Sequence, residues 1–241
     1  MKKIVIISLL LIQRIIISQE PYGLYDISFA DMNTGFAVGS DGLIIKTTNA
    51  GTNWSKQLTG TTVRLEGIFI NNVNSGFAVG NNGTILRTTN GGLNWIIIPS
   101  GVSAWLFDIT FTDINTGIIV GGNGTVLRTT NHGLDWNLQT ITSRNLIDVC
   151  FVNMNTGILV GNNGTIGRTT NGGINWYLQN SGTAAELSGV SFLDANTGVV
   201  VGLYETILRT SNGGLNWNLQ SYSSGNWLMA VSSFYLNSST T

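Results

Sequence analysis

The chain is 241 residues long and only 10% of them are charged, against roughly 25% in an average soluble domain, so Asn, Thr, Ser and Gly must supply its polar surface. Eleven basic and twelve acidic residues give a net charge of −1, with no basic stripe for phosphates to follow, which argues against a nucleic-acid partner. The single Cys150 excludes an internal disulfide and has neither a second Cys nor a clustered His with which to hold a metal.

The N-terminus reads Met1-Lys2-Lys3, then nine apolar or small residues from Ile4 to Ile12, then Gln13-Arg14. A basic start and a short apolar core predict a signal peptide over 1–18, and with it a protein that is secreted, periplasmic or at the cell surface. That run is too short and too interrupted for a transmembrane helix, and no later stretch is long enough, so no stable membrane span is expected after leader removal. Arg14 to Ser18 also matches the place of an outer strand in a later repeat, and this alternative stays open.

From Leu24 the chain repeats, and one repeat domain is expected over 19–241. Its most constant stretch is Arg87-Thr88-Thr89-Asn90-Gly91-Gly92-Leu93-Asn94-Trp95, which returns from Lys46, Arg128, Arg168 and Arg209 at steps of 41, 41, 40 and 41 residues. A fixed period of that size signals repeat architecture. Each copy holds four strand-like runs, as in Leu24–Phe29, Gly35–Gly39, Thr84–Thr88 and a fourth starting at the signature Trp, with two-residue alternation on at least one face. Asn33-Thr34-Gly35 and its echoes join the first two runs, with Asn expected to bond back to the backbone and Gly to supply positive φ. Asn82-Gly83 and Asn163-Gly164 join the second and third as hairpin turns. In the fifth copy Leu203-Tyr204-Glu205 replaces that turn, and a different shape is expected there.

Four short antiparallel strands about every 41 residues are the blade period of an all-β β-propeller. The expected blades cover 24–64, 65–105, 106–145, 146–186 and 187–227, with the start of a sixth over 228–241. The sixth copy loses register after Ser232. The ring is therefore expected to be incomplete, either as an open propeller or, preferably, because the chain belongs to a longer protein whose further blades protect the edge strands.

The stretch Thr88 to Trp95 resembles the Asp-box of BNR-type propellers, Ser-x-Asp-x-Gly-x-Thr-Trp, with Thr for Ser and Asn for Asp. Together with Leu-x-x-Ile-x-Phe and Asn-Thr-Gly-x-x-Val-Gly, the whole repeat from Leu24 to about Gln220 is similar to that of the photosystem II stability and assembly factor family. The resemblance implies a non-catalytic propeller, without cofactors, that holds another protein during assembly. It also implies that the Asp-box is scaffold rather than site.

The alternatives are chemical. A sialidase-like glycoside hydrolase needs unmatched acids or a converging arginine cluster, yet Arg87, Arg128, Arg168 and Arg209 share one repeated slot with Lys46, and Asp26, Asp108 and Asp148 share another. No catalytic residue is assigned. The aspartates at Asp31, Asp113 and Asp194 lack the closing Glu of a calcium loop and are read as turn formers. Positions that differ between repeats are free to serve a partner. The residue before each first strand is Arg64, Trp105, Asn145, Glu186 and Trp227, and these, with Arg144 in the loop before, are the candidate partner-binding residues at the rim of a central channel. Trp and Arg are favoured interface anchors. A protein partner is expected; exposed Trp105 and Trp227 would alternatively stack on carbohydrate.

Overall fold

The computed structural model describes residues 23–220 and 225–232. The signal peptide assigned to 1–18 and the alternative strand Arg14 to Ser18 lie outside them. By its internal contacts the chain divides into two compact units, Met1–Ile109 and Thr110–Thr241. The first holds two four-stranded sheets, β1 (Leu24–Phe29), β2 (Gly35–Gly39), β3 (Ile44–Thr47), β4 (Ser55–Lys56) and β5 (Leu65–Ile70), β6 (Gly76–Gly80), β7 (Thr84–Thr88), β8 (Ile96–Ile98), and ends within β9 (Leu106–Phe111). The second unit continues that third sheet with β10 (Gly117–Gly121), β11 (Thr125–Thr129) and β12 (Asn137–Thr140). It then forms β13 (Leu146–Phe151) to β16 (Tyr177–Gln179) and β17 (Leu187–Phe192) to β20 (Asn218–Leu219). Every sheet is an antiparallel meander and there is no α-helix among the described residues. This is an all-β propeller architecture of four-stranded blades. The fourth strand begins one residue after the signature Trp, not at it, because that indole is committed to the loop.

The second strands explain the core. Gly35–Gly39, Gly76–Gly80, Gly117–Gly121 and Gly157–Gly161 (β14) are buried at every residue, since a central strand is covered on both faces and reads as a continuous apolar run. The closing glycine is demanded by space. A Cβ at Gly80 would lie 2.1 Å from the Arg64 carbonyl oxygen, and one at Gly161 2.0 Å from that of Asn145. That same carbonyl accepts the N–H of the next residue, Asn81 or Asn162, at 3.0 Å.

Turn chemistry differs from the sequence reading in three places, the first being that Gly35 takes no positive φ and instead opens β2. The side chain that closes the first turn is two residues earlier than Asn33: Asp31 Oδ1 accepts the N–H groups of Asn33 and Thr34, both at 2.7 Å, and Asn72 and Asn153 do the same in their copies. Asn33 instead offers its carbonyl to Ala50 N at 3.0 Å, tying the first turn to the signature loop. The fifth second-to-third turn also keeps the shape of the others. Tyr204 and Glu205 take φ of 58° and 53° where Asn82 and Gly83 have 56° and 65°. Packing around the turn overrides local preference, and the Asn226 carbonyl receives Glu205 N at 2.8 Å where Ala104 receives Gly83 N at the same distance.

Each signature tryptophan packs edge-on against a phenylalanine. Trp136, Trp176 and Trp217 meet Phe111, Phe151 and Phe192 of their own first strands at centroid distances of 6.1, 5.9 and 6.1 Å. In the second sheet Ile70 stands in place of that phenylalanine, and Trp95 meets Phe36 of the preceding sheet at 6.1 Å instead. Such ring pairs add about 0.5–1.5 kcal/mol beyond area burial. Trp95 is 7% exposed, so Trp95→Ala is expected to lower unfolding free energy by about 3–5 kcal/mol in urea titration. Half-exposed Trp105 should lose less than about 1 kcal/mol on the same change; equal losses would contradict this packing.

Candidate functional site

In each signature loop a threonine hydroxyl and an asparagine amide do the holding. Thr88 Oγ1 accepts Gly92 N at 2.9 Å and donates to Asn90 Oδ1 at 3.1 Å, and that same oxygen accepts Asn94 N at 3.0 Å. The arrangement recurs around Thr47, Thr129, Thr169 and Thr210. Gly92, with φ of 83°, has Phe36 where its Cβ would be, at 2.7 Å, so no other residue fits. Ala50 and His132 occupy the preceding position at φ of 56° and 61°, a conformation that costs non-glycine residues about 1 kcal/mol.

Three of the five cations in the repeated slot bind the same loops. Lys46 Nζ donates to the Gly91 carbonyl at 2.7 Å, Arg128 Nε to Gly172 at 2.8 Å, and Arg168 Nε to Gly213 at 2.8 Å. Each reaches the signature loop of the following sheet rather than its own tryptophan. Arg87 lies over the Phe77 ring at 5.8 Å.

The repeated aspartates are staples too. Asp26 Oδ1 accepts Ile27 N and Oδ2 accepts Ile68 N, both at 2.7 Å, stitching β1 to β5. Asp148 joins β13 to β17 through Val190 N at 2.6 Å. Where the slot is Gly67, a Cβ would lie 2.8 Å from the Phe107 carbonyl oxygen. Burial pushes the Asp26 carboxyl up to about 7, aided by the neighbouring Asp108 carboxylate and opposed by the N–H groups of Ile68 and Ile27. Asp31 and Asp194 are held below the usual carboxylate range by the backbone N–H groups of their turns. Among the described residues no group of three or more His, Cys, Asp or Glu could hold a metal ion, and no helix is long and apolar enough to cross a membrane.

Four of the candidate partner-binding residues, Arg64, Trp105, Asn145 and Glu186, share one backbone position, just before a first strand. In the first unit Arg64 is exposed and stacks on Tyr25, its guanidinium carbon 3.8 Å from the ring centroid, while its Nε approaches Glu66 Oε1 at 2.7 Å. Trp105 is 50% exposed and lies edge-on to Phe107 at 6.2 Å. A recess of about 530 Å³ opens beneath the loop before Arg64, lined by Asp41, Lys56, Leu58, Thr59 and Thr61. In the second unit Arg144 reaches the Asn163 carbonyl at 3.4 Å, Asn145 Oδ1 accepts Asn123 N at 3.2 Å, and Glu186 is half-buried with its carbonyl on Leu203 N. Trp227 is 50% exposed on a segment without strand structure.

Tyr25, Glu66 and Phe107 were missed by the sequence reading. They are the second residues of their strands, where the pairing register of β1 and β5 shifts between Leu24 and Asp26 and between Leu65 and Gly67. A bulge of this kind re-aims a side chain. The signal was present in the sequence: the column Tyr25, Glu66, Phe107, Ile147, Ser188 is as divergent as the column two residues earlier, Arg64, Trp105, Asn145 and Glu186, with an unvarying Leu between them.

The Asp26 environment has a consequence for stability. Folded Asp26 keeps its proton up to about 7, whereas the unfolded carboxyl loses it near 3.8. Its contribution is therefore full below the unfolded value and lost as pH rises through the folded one. Urea midpoints are expected to fall between about pH 5 and about pH 8, and Asp26→Asn to narrow that difference. A wild-type midpoint that rises over this interval would reject the assignment.

The family model described as "Photosynthesis system II assembly factor YCF48" matches residues 13–102 and 137–218, while no curated protein matches the sequence. Among solved structures, YCF48 from Cyanidioschyzon merolae is similar with 16% identity and a TM-score of 0.53, over 86% of this chain and 89% of that one. A structure of YCF48 bound to D1 peptide is 19% identical over 84% of both chains, with a TM-score of 0.47. The Niastella koreensis GH74 enzyme is 15% identical with a TM-score of 0.71, over 83% of this chain but 38% of its own length, so this chain spans well under half of that enzyme. With its signature loops, its four-stranded blades and a family match across most of its length, the chain belongs to the photosynthesis system II assembly factor YCF48 family.

Proposed function

We propose that this chain is a non-catalytic binding scaffold that holds another protein, acting as one repeat domain exported by the leader at 1–18. One observation carries the reading: the repeated polar chemistry is spent inside the scaffold. The signature threonines and asparagines bind their own loops, Lys46, Arg128 and Arg168 bind the next loop, and Asp26 and Asp148 bind the next first strand. The divergent column Arg64, Trp105, Asn145, Glu186 and Trp227, with Arg144, is what the scaffold leaves for recognition. Membership of a family described by an assembly factor supports a protein client. Half-exposed Trp105 and Trp227 also suit a sugar face, and the test separates the two.

On a tiled peptide array, retained peptides are expected to lose at least about tenfold in affinity on Trp105→Ala or Trp227→Ala, as for aromatic hot spots, with the melting temperature unchanged. Saturable binding on a glycan array that Trp105→Ala abolishes would replace the protein-client reading. Hydrolysis of any chromogenic glycoside would end the non-catalytic one.

A further inference from the structure

One fourth strand is unlike the other four. β8 is the terminal strand of its sheet, paired only to β7 through Ile96–Arg87, Ile97–Leu86 and Ile98–Ile85. Edge strands expose unpaired backbone groups and are ordinarily protected by polar or charged side chains. β4 carries Ser55 and Lys56, β12 carries Asn137 and Gln139, β16 carries Gln179 and β20 carries Asn218. β8 is Ile-Ile-Ile, with Ile96 53% and Ile97 64% exposed. No charged residue occurs between Arg87 and Asp108.

Backbone alternation identifies the open groups. Gln57 and Gln220, which correspond to Ile98, donate their N–H groups inward to Ile44 and Ile207 at 2.8 and 2.7 Å. In an antiparallel ladder the neighbouring residue faces the other way, so Ile97 turns its N–H and C=O to the open side. Pro99 follows at once and offers no N–H, which confines any added strand to a short segment centred on Ile97.

We propose that β8 is a self-association edge, at which β8 of a second copy pairs antiparallel about a two-fold axis through Ile97. A complementing strand must be short, apolar, uncharged and centred on an outward-facing residue, and β8 itself meets all four conditions. Ile97 then exchanges both backbone hydrogen bonds with Ile97 of the second copy, Ile96 lies opposite Ile98, and two four-stranded sheets become one of eight. The contact repeats itself under the two-fold, as a closed dimer requires. A three-residue edge buries little area, so the dimer is weak, with a dissociation constant of about 10 μM to 1 mM.

Sedimentation equilibrium of the whole chain is expected to show the weight-average mass rising from monomer toward dimer over about that concentration range. Ile97→Lys should remove the rise without changing the melting temperature, because the side chain is exposed; Leu138→Lys on β12, similarly exposed, should leave it intact. In a Cys150→Ser background, Ile97→Cys should form an oxidised dimer and Leu138→Cys should not, since a directly opposed pair places Cα atoms about 5.5 Å apart, within disulfide reach. A chain that stays monomeric to about 1 mM, a dimer that survives Ile97→Lys, or equal cross-linking at 97 and 138 would overturn the proposal.

Discussion

The hydroxyl of the signature threonine is the contact on which the scaffold depends. It accepts a glycine N–H four residues on and donates to the asparagine between them, so a loop containing left-handed backbone is held by its own side chains. The loop then presents two features to the sheet before it. A carbonyl receives that sheet's Lys or Arg, and a bare glycine lets Phe36, Ile118 or Ile158 approach closer than any side chain would allow. Each loop is thus a joint between sheets as well as a turn within one.

A joint made this way explains why so little charge suffices. The cations at Lys46, Arg128 and Arg168 are solvated by a backbone carbonyl, at the negative end of its peptide dipole, which accepts their hydrogen bonds. The Asp26 and Asp148 side chains are likewise held by backbone N–H groups of the next first strand. Charge that looks like a candidate catalytic set in one repeat is, when multiplied, the means by which neighbouring blades are attached. The proposed recognition falls to residues that the joint does not constrain, which in the first unit include Arg64, stacked on Tyr25 and paired with Glu66, and the Trp105–Phe107 pair.

Much of this was legible because repetition supplies its own controls. The five-fold return of Thr-x-Asn-x-Gly and its Trp identified the loop, and the Leu-x-x-Ile-x-Phe and Gly-x-x-Val-Gly runs identified the first two strands. Two local rules misled. Asn33 looks like the turn-closing residue, yet Asp31, read from the sequence as a turn former, closes the turn, and Asn33 contributes its backbone N–H and carbonyl. Leu203-Tyr204-Glu205 looks incapable of the Asn-Gly turn, yet it is held in that conformation because the flanking strands and Asn226 leave it no other.

The amino-acid sequence alone determined the strand count per repeat, the identity of the loop and the columns that vary, since each follows from short-range periodicity and from the backbone demands of Gly and Asn. Tertiary structure decided what the invariant charges touch. Lys46 and Gly91 are 45 residues apart and Asp26 and Ile68 are 42 apart, so their pairing arises only when one sheet is laid against the next. Tertiary pairing also set the bulge at Tyr25 and Glu66, because a strand's register is chosen by its neighbour and not by its own residues.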